Sequence, residues 1–379
     1  MKPHLLFLSW RDIKHPKAGG AEVFTHEMLR RVSDEYEITH FSPAFEGGHD
    51  VEYLDGVTYI RRGTSLSVIP LAFSYYQSHA ATIDLVVDQM NTHHFFTPLY
   101  VPVTKRALFI HQLTREIWQI NVRSPFSYVG EWTETPRLQL YRTGRALTVS
   151  QSTADDLLAV GFSKDDVTIL PEGLSFTPWN EEDWKPKEAH PTFLYAGRMS
   201  AYKGINDALQ AFVIVKREYP DARFWVIGKK DEAYITEHLH PIVPEEMRDA
   251  ITYFGFVSEA EKLERMSRAT ALLFPSKREG WGLTVSEAAA VGTPTIVYDA
   301  PGLRDAVQYG MTGYMAKSQT PGALAAEMRA CLRDPEEYEM IQSAGHRFAQ
   351  TLHWDHTGQA FRNWLQRELI PVALKEDFS

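Results

Sequence analysis

The chain has 379 residues, 44% of them apolar and 23% charged, and a formal net charge of −10. This composition excludes a disordered chain, leaves room for two domains of roughly 150–200 residues each, and argues against broad electrostatic binding to nucleic acid. A single cysteine, Cys331, on a predicted helix, excludes an intrachain disulfide and a cysteine metal cluster and suits a reducing cytosol.

The first apolar run, Leu5-Leu-Phe-Leu8, is too short for a leader core and reads as a strand over 4–9. Further strands are predicted at 36–42, 58–61, 85–88, 106–110, 146–150 and 167–170, with helices at 21–32, 70–82, 137–143 and 152–160. The segment Arg123-Ser-Pro-Phe-Ser-Tyr-Val-Gly-Glu-Trp132 reads as a mobile loop flap. A polar, proline-rich stretch over 178–191 reads as an interdomain linker. The alternation then restarts, with strands at 192–197, 223–227, 251–254, 270–274 and 294–298 and helices at 205–219, 259–267, 283–291 and 303–309. Helical patterns at 321–332, 335–350 and 356–369 close the chain; the last either ties the domains together or caps the second. The class is α/β, with parallel sheets covered on both faces and ligands expected beyond the carboxyl ends of the strands. No stretch reaches the ~20 apolar residues that span a bilayer. Peripheral membrane contact stays open through Trp10, Trp118 and Trp132.

The most informative segment is Glu279-Gly-Trp-Gly-Leu-Thr-Val-Ser-Glu287. It follows the apolar run Ala271-Leu-Leu-Phe274, so a strand ends, a glycine turn follows and a helix starts. Backbone N–H groups at a helix start favour phosphate oxygens, and Glu279 and Glu287 can accept hydrogen bonds from sugar hydroxyls. Gly280 and Gly282 let backbone approach a ligand closely. In Gly197-Arg198-Met-Ser-Ala-Tyr-Lys203-Gly204, two cations lie on another strand-to-helix loop, where they can neutralise a diphosphate. Gly19-Gly20 sits between the first strand and its helix, without the spacing of a dinucleotide fingerprint or a P-loop. His111 ends the strand 106–110. Arg115, Glu116 and Trp118 offer polar contacts and a stacking face to an acceptor, or are interior and lid residues. The surface 92–100 is a second acceptor candidate. Glu172, in Pro171-Glu-Gly173, touches acceptor or phosphate, or only shapes a turn. Asp305 lines a donor pocket or caps its helix. His93-His94 has no acidic partner to complete a metal site, and Asp-x-Asp, the pattern of a divalent-ion clamp, does not occur.

These residues resemble the retaining glycosyltransferases of family GT4, over nearly the whole chain. The most specific element is the glutamate pair Glu279 and Glu287; Gly19-Gly20-Ala-Glu22, Gly197-Arg198…Lys203-Gly204 and His353-Trp354-Asp355 add to it. The resemblance implies a GT-B fold: two Rossmann-like domains, 1–177 for the acceptor and 192–353 for the donor, facing across a deep cleft. The region 354–379 would cross back to the first domain. It implies that Arg198 and Lys203 bind the donor diphosphate, Glu287 the ribose and Glu279 the donor sugar. The backbone of Trp281, Gly282 and Leu283, with Thr284 beside it, would hold the phosphates. Gly20 would contact the phosphate side, and His111 the sugar near its anomeric carbon. Trp281, Glu172 and Gln112 stand where many members have Phe, Asn and Asp. The reaction implied is retaining transfer of a hexosyl group from a nucleoside diphosphate sugar, UDP-sugar first and GDP-sugar second. The acceptor is a hydroxyl of a saccharide, a lipid-linked saccharide or a small molecule. No true cofactor, metal or nucleic acid takes part, and the location expected is cytoplasmic. The competing readings are a nucleotide-sugar epimerase or hydrolase and a noncatalytic carbohydrate-binding protein.

Overall fold

A computed structural model describes residues 2–91, 94–121 and 124–369. The chain forms two compact units. The first comprises 1–114, 132–173 and 353–379; the second comprises 115–131 and 174–352.

The first unit is built on eight strands: β1 (His4–Leu8), β2 (Glu37–Ser42), β3 (Val51–Leu54), β4 (Val57–Arg61), β5 (Leu85–Met90), β6 (Arg106–Ile110), β7 (Arg145–Thr148) and β8 (Val167–Ile169). Their order is β3-β4-β2-β1-β5-β6-β7-β8, parallel throughout except for β3 against β4. Every residue of β1, β5 and β6 is buried, as a sheet covered on both faces requires. The helices α1 (Gly20–Arg30), α2 (Val68–His79), α3 (Ile117–Asn121), α4 (Phe126–Gln139) and α5 (Gln151–Val160) follow in chain order, with α3 in the second unit. Strand β3 is absent from the sequence reading. It turns into β4 through Asp55-Gly56, both at positive φ, which is the chemistry of a two-residue hairpin.

The second unit is a six-stranded parallel sheet of β9 (Thr192–Ala196), β10 (Arg223–Ile227), β11 (Ile251–Gly255), β12 (Ala271–Phe274), β13 (Thr295–Tyr298) and β14 (Tyr314–Ala316), in the order β11-β10-β9-β12-β13-β14. Its helices are α6 (Ile205–Glu218), α7 (Glu232–Tyr234), α8 (Glu259–Arg268), α9 (Leu283–Ala290), α10 (Leu303–Ala306), α11 (Pro321–Arg333) and α12 (Pro335–Ala349). Cys331 is buried on α11. The last helix, α13 (Trp354–Leu369), returns to the first unit: Phe361 meets Phe7 of β1 edge-on at 6.0 Å, and Trp354 meets Phe24 of α1 at 5.6 Å.

Two segments differ from the sequence reading. The expected flap is helical from Phe126 onward, exposing Phe126, Tyr128, Val129 and Trp132. Pro125 and Gly130 signal a loop, but Pro125 lies just before the helix, where proline is tolerated. The expected linker is packed on the second unit. Lys187 Nζ donates to the carbonyls of Ser267 (3.0 Å) and Gly292 (2.9 Å) and to Thr293 Oγ1 (2.8 Å), and the Trp184 ring lies edge-on to His346 at 5.0 Å. Among the described residues no helix is long and apolar enough to cross a membrane.

Candidate functional site

In the second sheet the chain runs from β9 outward to β10 and β11 on one side, then returns to β12 on the other side of β9, so the strand order reverses there. Loops beyond the carboxyl ends of such strands form a ligand crevice. Here they are 197–204, after β9, and 275–282, after β12. The two loops are stitched together. Lys277 N–H donates to the Tyr202 carbonyl at 2.9 Å, and Ser276 Oγ donates to the same oxygen at 3.2 Å. Gly204, at φ +77°, packs so closely on Pro275 that a Cβ would overlap its carbonyl. Farther out, Lys277 Nζ donates to Asp207 Oδ2 at 2.7 Å, which also accepts from the Tyr298 hydroxyl at 2.9 Å. Glycine and this polar clasp thus fix the spacing of the loops that carry the charged residues.

Those residues meet. Lys203 Nζ donates to Glu279 Oε1 at 2.6 Å, with both side chains mostly buried. Arg198 is exposed, and its guanidinium makes no hydrogen bond or ion pair among the described residues. Gly197, at the end of β9, is followed by a turn in which the Tyr195 hydroxyl donates to the Arg198 carbonyl at 2.7 Å. Gly280, Trp281 and Gly282 lead into α9, whose start is Leu283-Thr284. Gly282 sits at φ +105°, a left-handed conformation that L side chains rarely adopt, with the Leu303 side chain close by. The first N–H groups of α9 have no helical carbonyl to bind. Trp281 Nε1 donates to Ser286 Oγ at 3.0 Å, which turns its ring along the helix. Glu287 is held from the neighbouring helix: Lys262 Nζ donates to its Oε2 at 2.8 Å. Asp305 proves to be a cap, since Gly302 N–H donates to its Oδ2 at 3.2 Å. The turn before it nevertheless braces the site, with the Glu279 N–H donating to the Pro301 carbonyl at 3.0 Å.

In the first unit the loop after β1 is pinned from below. Arg61 Nε donates to Asp12 Oδ2 at 2.5 Å, and both residues are essentially inaccessible. Arg11 Nε donates to Glu22 Oε1 at 3.0 Å, while Gly19 N–H donates to Glu22 Oε2 at 2.6 Å. Glu22 therefore occupies the Gly19 donor and fixes the turn in which Gly20 begins α1. His111, after β6, lies edge-on to the Phe24 ring at 5.3 Å and within 3.3 Å of Gln89 Nε2. Burial pulls its pKa down to about 3, so the ring is neutral at physiological pH.

The acceptor candidates need correction. Trp118 is 7% exposed and its ring closes over Gly130, so it offers no stacking face. Glu116 Oε1 accepts from Arg278 Nε at 3.0 Å, so it braces the residue preceding Glu279. Arg115 stands at φ +41° and belongs with the same segment of the second unit. Glu172 is 4% exposed, its Oε2 has no hydrogen-bond partner among the described residues, and burial pushes its carboxyl well above the usual range. It is a buried carboxyl pushed toward its neutral form rather than an open contact. Thr92 and His93 lie outside the described residues. Among those described, no three His, Cys, Asp or Glu side chains gather as metal ligands.

The sequence reading missed Lys262, Lys277, Asp207 and Arg278. Lys262 lies in Glu259-Ala-Glu-Lys262, which reads as a solvated helix face. Only the packing of α8 on α9 brings it to Glu287.

Comparison with known proteins supplies the context for this geometry. Residues 179–348 match the family described as glycosyl transferases group 1, and residues 18–176 match glycosyltransferase family 4. Glycogen synthase of Mycobacterium tuberculosis (strain ATCC 25618 / H37Rv) is 27% identical over 219 residues, covering 56% of this chain and 52% of that protein. The chain thus spans about half the length of that relative. Among solved structures, a sucrose-phosphate synthase from Thermosynechococcus elongatus superposes with a TM-score of 0.76 at 18% identity, covering 97% of this chain and 99% of the other. Anabaena Alr3699/HepE, in complex with UDP and glucose, superposes with a TM-score of 0.70 at 16% identity, covering 96% and 100%. These likenesses show the fold, which is GT-B.

Proposed function

The chain belongs to the group 1 glycosyltransferases of family 4, and from that premise we propose that it transfers a hexosyl group, with retention, from a nucleoside diphosphate sugar to a hydroxyl. The observation that carries this reading is the junction of the loops after β9 and β12. There Lys203 and Glu279 pair, the exposed Arg198 lies on the same loop as Lys203, and α9 starts just after Glu279. A dianionic diphosphate fits two cations and a helix N-terminus. The UDP bound by the Anabaena protein favours a UDP-sugar, with a GDP-sugar second. The acceptor class is a saccharide, a lipid-linked saccharide or a small-molecule hydroxyl. The epimerase, hydrolase and carbohydrate-binding readings gain nothing from the relatives.

In this mechanism the bond between C1 of the sugar and the phosphate oxygen breaks, and the electron pair leaves with the nucleoside diphosphate. Arg198 and Lys203 stabilise the charge that develops there, which is where catalytic binding energy acts. Glu279 orients Lys203 and accepts a hydrogen bond from the sugar. The acceptor oxygen bonds to C1 on the face the leaving group departs, and its proton passes to a phosphate oxygen. The neutral His111 hydrogen-bonds the sugar near C1, and Gly20 meets the phosphate side. No metal enters the scheme. The location proposed is the cytosol, with peripheral membrane attachment through Phe126, Val129 and Trp132 of α4. Sedimentation with vesicles, comparing wild type and Trp132→Ala, tests the attachment. Incubating the protein with UDP-α-glucose and an acceptor panel, with anomeric protons followed by NMR, tests the reaction. An α-linked product supports it; a β-linked product overturns retention, and an epimerised donor without transfer overturns the class.

A further inference from the structure

Glu287, the carboxylate placed for a donor ribose, is not alone. Lys262 of α8 donates to its Oε2 at 2.8 Å, and both side chains are 19% exposed. The same ammonium pairs with Glu259 Oε1 at 2.7 Å. Glu287 Oε1 accepts no hydrogen bond among the described residues. Burial raises the pKa of Glu287, and Lys262 opposes that shift. Burial likewise works against the Lys262 ammonium, but Glu287 and Glu259 outweigh it and leave its pKa raised.

A ribose presents two vicinal hydroxyls that can each donate. An ionised carboxyl receives both best, since it is acceptor-only and its hydrogen bonds are charge-assisted, whereas a protonated one spends one oxygen as a donor. It must also hold one rotamer, because a long side chain loses freedom when it binds. Lys262 serves both conditions: its charge opposes the burial that favours the protonated carboxyl, and its hydrogen bond to Oε2 ties down one oxygen while Oε1 is left without a partner among the described residues. The Lys262 ammonium has no acceptor of its own to offer the sugar.

We propose that Lys262 is a positioning residue that holds Glu287 ionised and oriented for the two ribose hydroxyls of the donor, and so sets the preference for ribonucleotides. This inference rests on the donor reading above. The charge on Lys262, rather than its bulk, does the positioning.

The test is calorimetric binding of UDP, GDP and ADP to wild type. The tightest binder is then compared with its 2′,3′-dideoxy counterpart in wild type, Lys262→Met, Lys262→Gln and Lys262→Arg, each checked for folding by thermal unfolding. Wild type should prefer the ribonucleotide by about tenfold or more, the worth of a hydrogen bond to a charged group. The two neutral variants should lose most of that preference, and Lys262→Arg should restore it. A neutral variant that binds both nucleotides more weakly but keeps the preference overturns the positioning role. Equal binding of both nucleotides by wild type overturns the ribose role of Glu287 while leaving the diphosphate site standing. No binding of any nucleoside diphosphate by folded wild type overturns the donor reading itself.

Discussion

The two units hold their candidate residues in opposite electrostatic states. In the second, charged groups other than Arg198 are paired in advance: Lys203 with Glu279, Lys262 with Glu287, Lys277 with Asp207. In the first, burial favours the neutral forms of His111 and Glu172, one pKa pulled down to about 3 and the other pushed up. The difference follows the work each is asked to do. A diphosphate brings charge that must be met by cations already in place, and ion pairs keep those cations ordered without ligand. A sugar or acceptor hydroxyl brings no charge, and neutral groups set by packing suffice. On the proposed reading, the second unit would meet the charge of the donor and the first would meet neutral hydroxyls.

The largest effect that would break this contrast lies at the exposed guanidinium. Arg198→Ala should lower kcat by about 10²–10³-fold, the scale of removing a group that stabilises transition-state charge. Its unfolding temperature should hardly move, because the Arg198 side chain is exposed and makes no hydrogen bond or ion pair among the described residues. Steady-state kinetics with unfolding curves check both, and equal losses of turnover and acceptor affinity would contradict the assignment. Glu287→Ala should act mainly on donor KM, raising it by roughly ten- to thirtyfold through loss of hydrogen bonds to an ionised group. A fall in kcat at unchanged KM would move Glu287 from ribose to chemistry.

In the first unit the expected effects are smaller and concern pH. His111→Asn should lower kcat by roughly tenfold, within the range of a lost neutral hydrogen bond in the site. The wild-type pH–rate profile should show no titration of His111 between pH 6 and 8. An acidic limb near pH 6.5 that vanishes in His111→Asn would show a titrating ring instead. Stability carries a matching sign. With His111 neutral in the fold and titrating near 6.5 when unfolded, its contribution is lost as pH falls from about 6.5 toward 3. Glu172 runs the other way: its folded pKa is raised, so its contribution is lost as pH rises above about 4.3 toward that raised value. Glu172→Gln should flatten the decline in unfolding temperature between pH 5 and 8, and an unchanged slope would mean that the carboxyl ionises in place.

The same contrast explains what the sequence made legible. Gly197, Arg198, Lys203 and the run from Glu279 to Glu287 could be found because glycines and charges at strand ends have few other uses. The alternation of strands and helices likewise pointed to two parallel sheets, and the fold has them. Lys262 was hidden because its partner is 25 residues away on another helix, and nothing in a Glu- and Lys-rich face marks one lysine as turned inward. Trp118 stays open between interior and acceptor contact in the sequence because an aromatic residue beside charges looks the same whether it packs on Gly130 or waits for a sugar. The polar run at 178–191 reads as an interdomain linker, yet Lys187, through acceptors 80 and more residues away, and Trp184, through the His346 ring, are seated in the second unit. Local chemistry was readable; long-range partners were not.

The central claim is that the second unit meets a nucleoside diphosphate sugar with cations already in place. The most direct measurement is a screen of UDP-, GDP-, dTDP- and ADP-sugars without acceptor, by thermal shift and slow hydrolysis, with and without EDTA, on wild type and Arg198→Ala. The account predicts that one nucleotide sugar selectively stabilises wild type and is slowly hydrolysed, that EDTA changes neither, and that Arg198→Ala loses both. A folded wild type that responds to no nucleotide sugar, or only to one with added metal, would contradict it.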